Sequence, residues 1–376
     1  MRFLIALAIH CGTIIGVGIF ALPFSVTKAG FIPSFFLFII LTLFLIFLNL
    51  FYGEVILRIG EKKRLPGYSK VLLNKPLVIF SYLISILTLY GAILAYLIIS
   101  GRFLFNLFPL TNPLIWTLGF AFGGAILIYF GRKPISFVES FLLLFLLGIL
   151  ILFFKEGGKF INFENFYSVQ LKNLFLPYGS ILFSLWGISI VPEIREFLKG
   201  REDLFKKELI FSIIISSFIY LLFVILVVGI SGKNTSYEAI SGLSKFLGEK
   251  IIKLGFLFGI LTVFTSFITL GLTLKKVFFY DLGLSHFLSW LLSWSIPLFI
   301  FLIGIQEFIK TVVTTGGILL GFQGILVILL HRKAKVQSKF KPFFSIPFPS
   351  FLYWVFILFL VGGISYEIFH LVGFNY

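Results

Sequence analysis

The sequence predicts an all-α, polytopic membrane protein, and three observations predict it. Of 376 residues, 59% are hydrophobic and 12% charged, against about 25% charged in soluble domains. The apolar residues come in repeated runs of about 18 or more, long enough for a helix to cross a hydrocarbon core of ~30 Å. The period-2 alternation of barrel strands is absent from these runs.

Taken in order, the runs give eleven spans. The first, 3–26, is apolar throughout but carries Gly12, Gly16, Gly18 and Pro23. The second, 31–57, ends in Tyr52-Gly53-Glu54 before a basic loop, 58–75. The third, 77–105, contains Tyr90 and Tyr96, and the fourth, 113–130, stops at the short basic turn Gly131-Arg132-Lys133-Pro134. The fifth, 135–154, leads into a polar loop, 155–172. The sixth, 174–197, is again interrupted, and the heavily charged stretch 195–207 follows it. Spans seven to ten are 209–230, 251–274, 287–303 and 308–330; a basic loop, 331–341, then precedes the eleventh, 347–370. The predicted organisation is a core over 1–330, with repeats 1–154 and 173–330, followed by 331–376 as a loop and a peripheral helix.

The net charge of +16 would suit nucleic acid, but the basic residues sit in short loops between spans. With the N-terminus inside, roughly two-thirds of the Lys and Arg fall on the cytoplasmic side, Lys62, Arg132, Lys133 and Lys339 among them, which is the bias that orients membrane proteins. This places the chain in a plasma or inner membrane and leaves nucleic acid out as a partner. The single cysteine, Cys11, excludes an internal disulfide and a multi-cysteine metal site. The start superficially resembles a cleaved leader, yet His10 before Cys11 fits poorly and the run continues as a span, so it reads as an uncleaved first helix. Gly16-Val17-Gly18-Ile19-Phe20-Ala21 matches a dinucleotide fingerprint by accident, since no strand precedes it and the first acid is Glu54. No H-E-x-x-H or G-x-S-x-G motif is present, so nothing points to an enzyme.

The two interrupted spans carry the functional reading. In lipid a broken helix leaves backbone groups unpaired at several kcal/mol each, unless protein or a watery cavity covers them. Gly12-Thr13-Ile14-Ile15 in the first span pairs with Gly179-Ser180-Ile181-Leu182 in the sixth. The two segments cross in opposite directions. Matching breaks in oppositely oriented halves point to a secondary transporter's binding site.

At this point Gly12-Thr13-Ile14-Ile15-Gly16-Val17-Gly18-Ile19-Phe20-Ala21-Leu22-Pro23, with Ala29-Gly30-Phe31, resembles the first helix of permeases of the amino acid–polyamine–organocation superfamily. Phe183-Ser184-Leu185-Trp186-Gly187 with Val191-Pro192-Glu193-Ile194-Arg195 is similar to helix 6 of its amino acid/auxin branch. Thr265-Ser266-Phe267, Leu270-Gly271 and Asp281 resemble helix 8 of the hydroxy/aromatic amino acid permeases. The resemblance implies a five-plus-five inverted repeat with helix 11 outside it. It implies that the amides of Gly16, Val17 and Gly18 receive a substrate carboxylate, as helix starts do for anions. Carbonyls near Phe183, Ser184 and Leu185 would accept from the ammonium, while Trp186 lines or gates the side-chain pocket and Tyr96 faces the site. A sodium site would take Gly12, Ile15 and Thr262 carbonyls with the Thr265 and Ser266 hydroxyls, hard oxygens for a hard cation; alternatively Thr265 and Ser266 bond back to their own helix. The fifth span lacks the lysine by which some relatives replace sodium, so the coupling ion is sodium or a proton, with no cofactor.

Among the embedded acids Glu54, Glu139 and Glu193, the last is the expected gate, pairing with a base such as Arg58. His10 reads as a satisfied packing residue, and Lys28 and Arg102 as snorkelling span-end bases. The expected function is cation-coupled import of a small neutral or aromatic amino acid by alternating access, with lipid around the helices. The alternative is a non-transporting receptor of the same fold, similar to spore-germination receptors. Oligomeric state has no sequence signal.

Overall fold

The computed structural model describes residues 2–61, 63–109, 112–131, 136–338 and 340–373. Lys62, Arg132, Lys133, Lys339 and the Glu139 side chain, all weighed above, lie outside the described residues. Helix accounts for 83% of the described residues, and no strand occurs among them.

The first span is two helices, α1 (Arg2–Ile14) and α2 (Gly18–Ala29), bent by 55° at the break. Glycines at 16 and 18 each cost a helix about 1 kcal/mol relative to alanine, and Pro23 removes one further donor inside α2. The break therefore falls where the sequence is poorest in helix formers. Gly30, at φ +100°, turns the chain into α3 (Phe31–Ile59). The left-handed Gly60 ends α3 by returning its N–H to the Ile56 carbonyl at 2.9 Å.

A short helix, α4 (Leu65–Leu72), occupies the loop read from sequence as merely basic. Only eight residues long, it was hidden by the lysines and arginines around it; five of its residues between Leu65 and Ser69 are nevertheless buried. Then come α5 (Lys75–Leu107), α6 (Pro113–Tyr129) and α7 (Ser136–Gly157). Asn74 and Asn112 cap α5 and α6 through their side-chain oxygens, each with proline at the helix start.

The sixth span breaks as expected, into α8 (Pro177–Ser184), a 3₁₀ turn at Ile188–Ile190 and α9 (Val191–Phe197). The remaining helices are α10 (Phe205–Ser231), α11 (Glu249–Lys276), α12 (His286–Leu302), α13 (Phe308–Thr314), α14 (Gly321–Val336) and α15 (Ser350–Gly373). Two π-helical turns interrupt them, Val277–Asp281 after α11 and Thr315–Leu320 between α13 and α14. Among the described residues six helical segments are long and apolar enough to cross a membrane, and the bent α1–α2 pair makes a seventh. Large apolar side chains such as Phe36, Leu43, Ile126, Phe218 and Leu358 are exposed on the outside of this bundle, as lipid-facing surfaces require.

α15 has one exposed and one buried face. Phe351, Trp354 and Phe369 are exposed, but Tyr353, Leu360, Ile364 and Glu367 are buried against the rest of the bundle. Its start is anchored by Glu54 on α3. That carboxylate accepts from Arg58 Nε (2.8 Å), Ser345 Oγ (2.8 Å), the Ile346 amide (2.7 Å) and His331 Nε2 (2.9 Å). Tyr353 OH meets the other His331 nitrogen at 3.0 Å. Four hydrogen bonds thus satisfy a fully buried acid and tie α3 to α14 and to the segment leading into α15, which the Tyr353–His331 contact then joins.

Candidate functional site

The two broken spans cross at their breaks, and glycine makes the crossing possible in each. A methyl group on Gly18 would stand 2.7 Å from the Ser184 Cα, and one on Gly187 would stand 2.6 Å from His10 Nε2 and 3.0 Å from Ile14 Cδ1. Each break therefore admits the other span's backbone or close neighbours. Ser25 and Ser180 add a 2.6 Å hydroxyl–hydroxyl contact between α2 and α8. His10 reads as expected, a satisfied packing residue: its ring nitrogens face Glu208 Oε1 at 3.0 Å and the Gly187 carbonyl at 3.2 Å.

Beside the crossing lies a cavity of about 120 Å³. Gly16, Val17, Gly18, Tyr96, Phe183 and Trp186 all line it. Six of the eight residues assigned from sequence to the substrate thus share one chamber. Ser184 and Leu185 lie off its wall: Ser184 bonds back to the Ser180 carbonyl at 2.7 Å and packs on Gly18, and the Leu185 side chain is fully buried. The Gly16 amide is also engaged, turned back onto the Ile14 carbonyl at 2.9 Å. This tight turn leaves Val17 and Gly18, at the start of α2, as the better-placed amides of the three.

Several wall residues had no sequence signal. Ser85 and Thr88 on α5, Thr273 on α11, Ser189, Thr315 and Gln323 add hydroxyls and an amide. Only the tertiary fold brings these scattered residues together. Tyr220 on α10 was likewise missed. Its hydroxyl donates to the Ile14 carbonyl at 2.9 Å, which covers the last carbonyl of α1 where the helix can no longer do so.

The expected cation ligands also converge. Gly12, Ile15, Thr262 and Thr265 border one void of about 10 Å³, and Gly12, Thr265 and Ser266 border a second of about 20 Å³. Thr265 Oγ1 bonds back to the Thr262 carbonyl at 3.0 Å. Thr262 Oγ1 is buried without a hydrogen-bond partner among the described residues, an orphan oxygen at the point where a cation would need one. No cluster of three or more His, Cys, Asp or Glu suited to a metal occurs among the described residues.

Arg64, at the start of α4, lines both the cavity and a wider vestibule of about 600 Å³ beyond it. Between the two, the Arg64 guanidinium grips both carboxylate oxygens of Glu193 on α9. Glu193 is therefore paired, but not with Arg58, which is committed to Glu54 on its own helix. The Arg58–Glu54 spacing of four residues favours the local pair. Burial works to lower the pKa of Arg64, and the opposed Glu193 charge more than offsets it, so the pKa is raised. Arg195 continues the line of charge with Glu202 at 3.3 Å. Lys28 and Arg102 behave as span-end bases, Lys28 over the Phe24 ring at 5.1 Å and Arg102 donating to the Gln306 carbonyl at 3.3 Å.

A family model for tryptophan/tyrosine permeases matches residues 1–367. The chain belongs to the tryptophan/tyrosine permease family. The permease is thus a multi-pass membrane transporter of amino acids and not an enzyme. Among solved structures it is similar to MhsT in complex with L-phenylalanine, with a TM-score of 0.69 and 14% identity over 98% of both chains. At that identity the likeness establishes the fold. Among curated proteins no sequence relative matches.

Proposed function

We propose that this permease imports an aromatic amino acid by cation-coupled alternating access across a plasma or inner membrane. The observation that carries the reading is the meeting of two broken helices at a cavity walled by Tyr96, Phe183 and Trp186. Aromatic walls suit an aromatic guest, which gains from edge and face contacts beyond simple burial. The family's name and the phenylalanine bound to MhsT agree with that class.

The Val17 and Gly18 amides at the start of α2 would take the carboxylate. Carbonyls left by the end of α8, near Phe183 to Leu185, would take the ammonium. Tyr96 would close over the carboxylate side and Trp186 over the side chain. A sodium ion would sit among Gly12, Ile15, Thr262, Thr265 and Ser266, the orphaned Thr262 hydroxyl filling a vacancy that the carbonyl engaged by Thr265 leaves.

Eleven spans, an inverted repeat of five plus five, and a cytoplasmic N-terminus complete the proposal. The vestibule is lined by Lys63, Arg64, Arg195, Lys199 and Lys276, a run of bases that supports that orientation. The vestibule then opens to the cytoplasm and the Arg64–Glu193 pair is its gate. Purified protein in liposomes should accumulate labelled L-tryptophan or L-tyrosine only under an imposed sodium or proton gradient. Binding without accumulation under either gradient would instead favour a receptor, and the absence of any uptake or binding across all twenty amino acids would end the reading.

A further inference from the structure

Glu367 on α15 is fully buried, and neither carboxyl oxygen has a hydrogen-bond partner among the described residues. It sits between two other spans at glycines. A methyl group on Gly179 would come within 2.9 Å of Glu367 Oε1, and one on Gly317 within 2.9 Å of its Cδ. The Gly179 amide, in the first turn of α8, faces the carboxyl without reaching hydrogen-bond geometry. One turn earlier on α15, Gly363 makes room for the Tyr178 ring, whose hydroxyl is also buried without a partner. The titratable side chains near the acid are Tyr178 on α8 and Tyr366 on its own helix, with His370 about one turn further along that helix. The π-helical turn 315–320 contributes none, and on α14 His331 is held by Glu54.

An ionised carboxylate in such a pocket costs several kcal/mol even after relaxation, so the closed pocket accepts the neutral acid. The pocket is not rigid. One wall is α8, the first half of a broken span, and another is the π-helical turn whose Thr315 and Leu320 line the central cavity. Gly316 in that turn touches α8 as well, since a methyl group there would lie 2.8 Å from the Gly179 carbonyl carbon. α8 and the turn thus border both the cavity and the Glu367 pocket, so a movement of α8 against the turn would alter the two together. Intramembrane acids of this kind mark ion pathways.

We propose that Glu367 is a proton-binding site that loads as α8 closes against α15, making a proton one of the coupled ions of transport. The carboxylate takes a proton from the outer water as the pocket closes and gives it up to the cytoplasmic water once the cavity has turned inward, so that the proton crosses with the substrate. This rests on the transport reading above and is independent of any ion held near Thr262. The experiment compares wild type with Glu367→Gln in liposomes, sodium equal on both sides, an acidic exterior, labelled L-tryptophan outside and a pH-sensitive dye inside. Wild type should gain up to about tenfold in accumulation per pH unit for one coupled proton, with acidification inside. Glu367→Gln should exchange labelled for unlabelled tryptophan at a comparable rate while losing both the gain and the acidification. Equal proton-driven accumulation by the two proteins would overturn the proposal and leave transport standing. No uptake by wild type at all would overturn both. Should Glu367→Gln fail to fold, infrared difference spectra of wild type and Glu367→Asp decide. A carboxylic-acid band that appears on tryptophan binding and shifts in the aspartate variant supports the site, and an unchanged spectrum overturns it.

Discussion

Gly18 and Ser184 approach so closely that the α-hydrogen of the glycine is all the space between the two broken spans allows: an added methyl would stand 2.7 Å from the serine Cα. This contact sets the spacing between the start of α2 and the end of α8, and with it the shape of the chamber both breaks face. Enlarging Gly18 should push the spans apart. Gly18→Ala should cost about 1–3 kcal/mol by overpacking, and Gly18→Leu should abolish tryptophan binding and uptake. Isothermal binding and thermal unfolding of the two variants check this, and normal uptake by Gly18→Leu would remove the site from the crossing.

The Arg64–Glu193 pair should govern access from the vestibule. Glu193→Gln or Arg64→Gln should increase alkylation of a cysteine placed at Ser189, a cavity-wall position, several-fold over the same cysteine in an otherwise intact protein. Swapping both charges should restore part of the protection. Because Glu193 raises the pKa of Arg64 above an already high value, the arginine stays charged through the working range. Acidification to about pH 6 should therefore leave the arginine side of the gate unaltered, which labelling across pH tests directly.

Thr262 offers a test of the cation site that folding defects do not confound. Its hydroxyl has no partner among the described residues, so Thr262→Val should hold stability within about 1 kcal/mol, the size of one missing hydrogen bond. If the hydroxyl serves a sodium ion, half-maximal tryptophan uptake should need about tenfold more sodium, equivalent to roughly 1.4 kcal/mol. An unchanged sodium titration would exclude Thr262 from the set.

Glu54 should be the costliest single loss outside the cavity. Glu54→Leu strands Arg58 and His331 and frees the Ile346 amide, so unfolding in detergent should lose roughly 3–5 kcal/mol. Glu54→Gln retains one carbonyl acceptor and should lose less. The double variant Glu54→Leu with His331→Leu should recover part of the deficit, since the buried imidazole no longer lacks its partner.

The breaks were legible in the sequence because their cause is local. Gly16, Gly18, Gly187, Pro23 and Pro192 weaken helix wherever they stand, and apolar runs around them require that the lost hydrogen bonds be covered. The gate was only half legible. Glu193 is conspicuous as an acid at a span end, but its partner depends on how a loop folds, and α4 delivers Arg64 where sequence spacing suggested Arg58. The wall residues Ser85, Thr88, Thr315 and Gln323 were not legible, because single hydroxyls and amides on apolar helices look alike until packing selects which face turns inward. Helix 11, which the resemblance places outside the repeat, gives no sign in the sequence that one of its faces, Glu367 included, is buried.

By itself, then, the amino-acid sequence determined that the chain is a bundle of membrane helices, that two of them break, and that glycine stands at both breaks. These follow from hydropathy and from the intrinsic cost of glycine and proline in a helix, quantities each segment carries alone. The tertiary structure decided which side chains wall the cavity, that Arg64 closes on Glu193, and that Glu367 is sealed between α8 and the π-helical turn. Those outcomes depend on contacts between segments far apart in the chain, and a contact energy has no value until the packing of both partners is set.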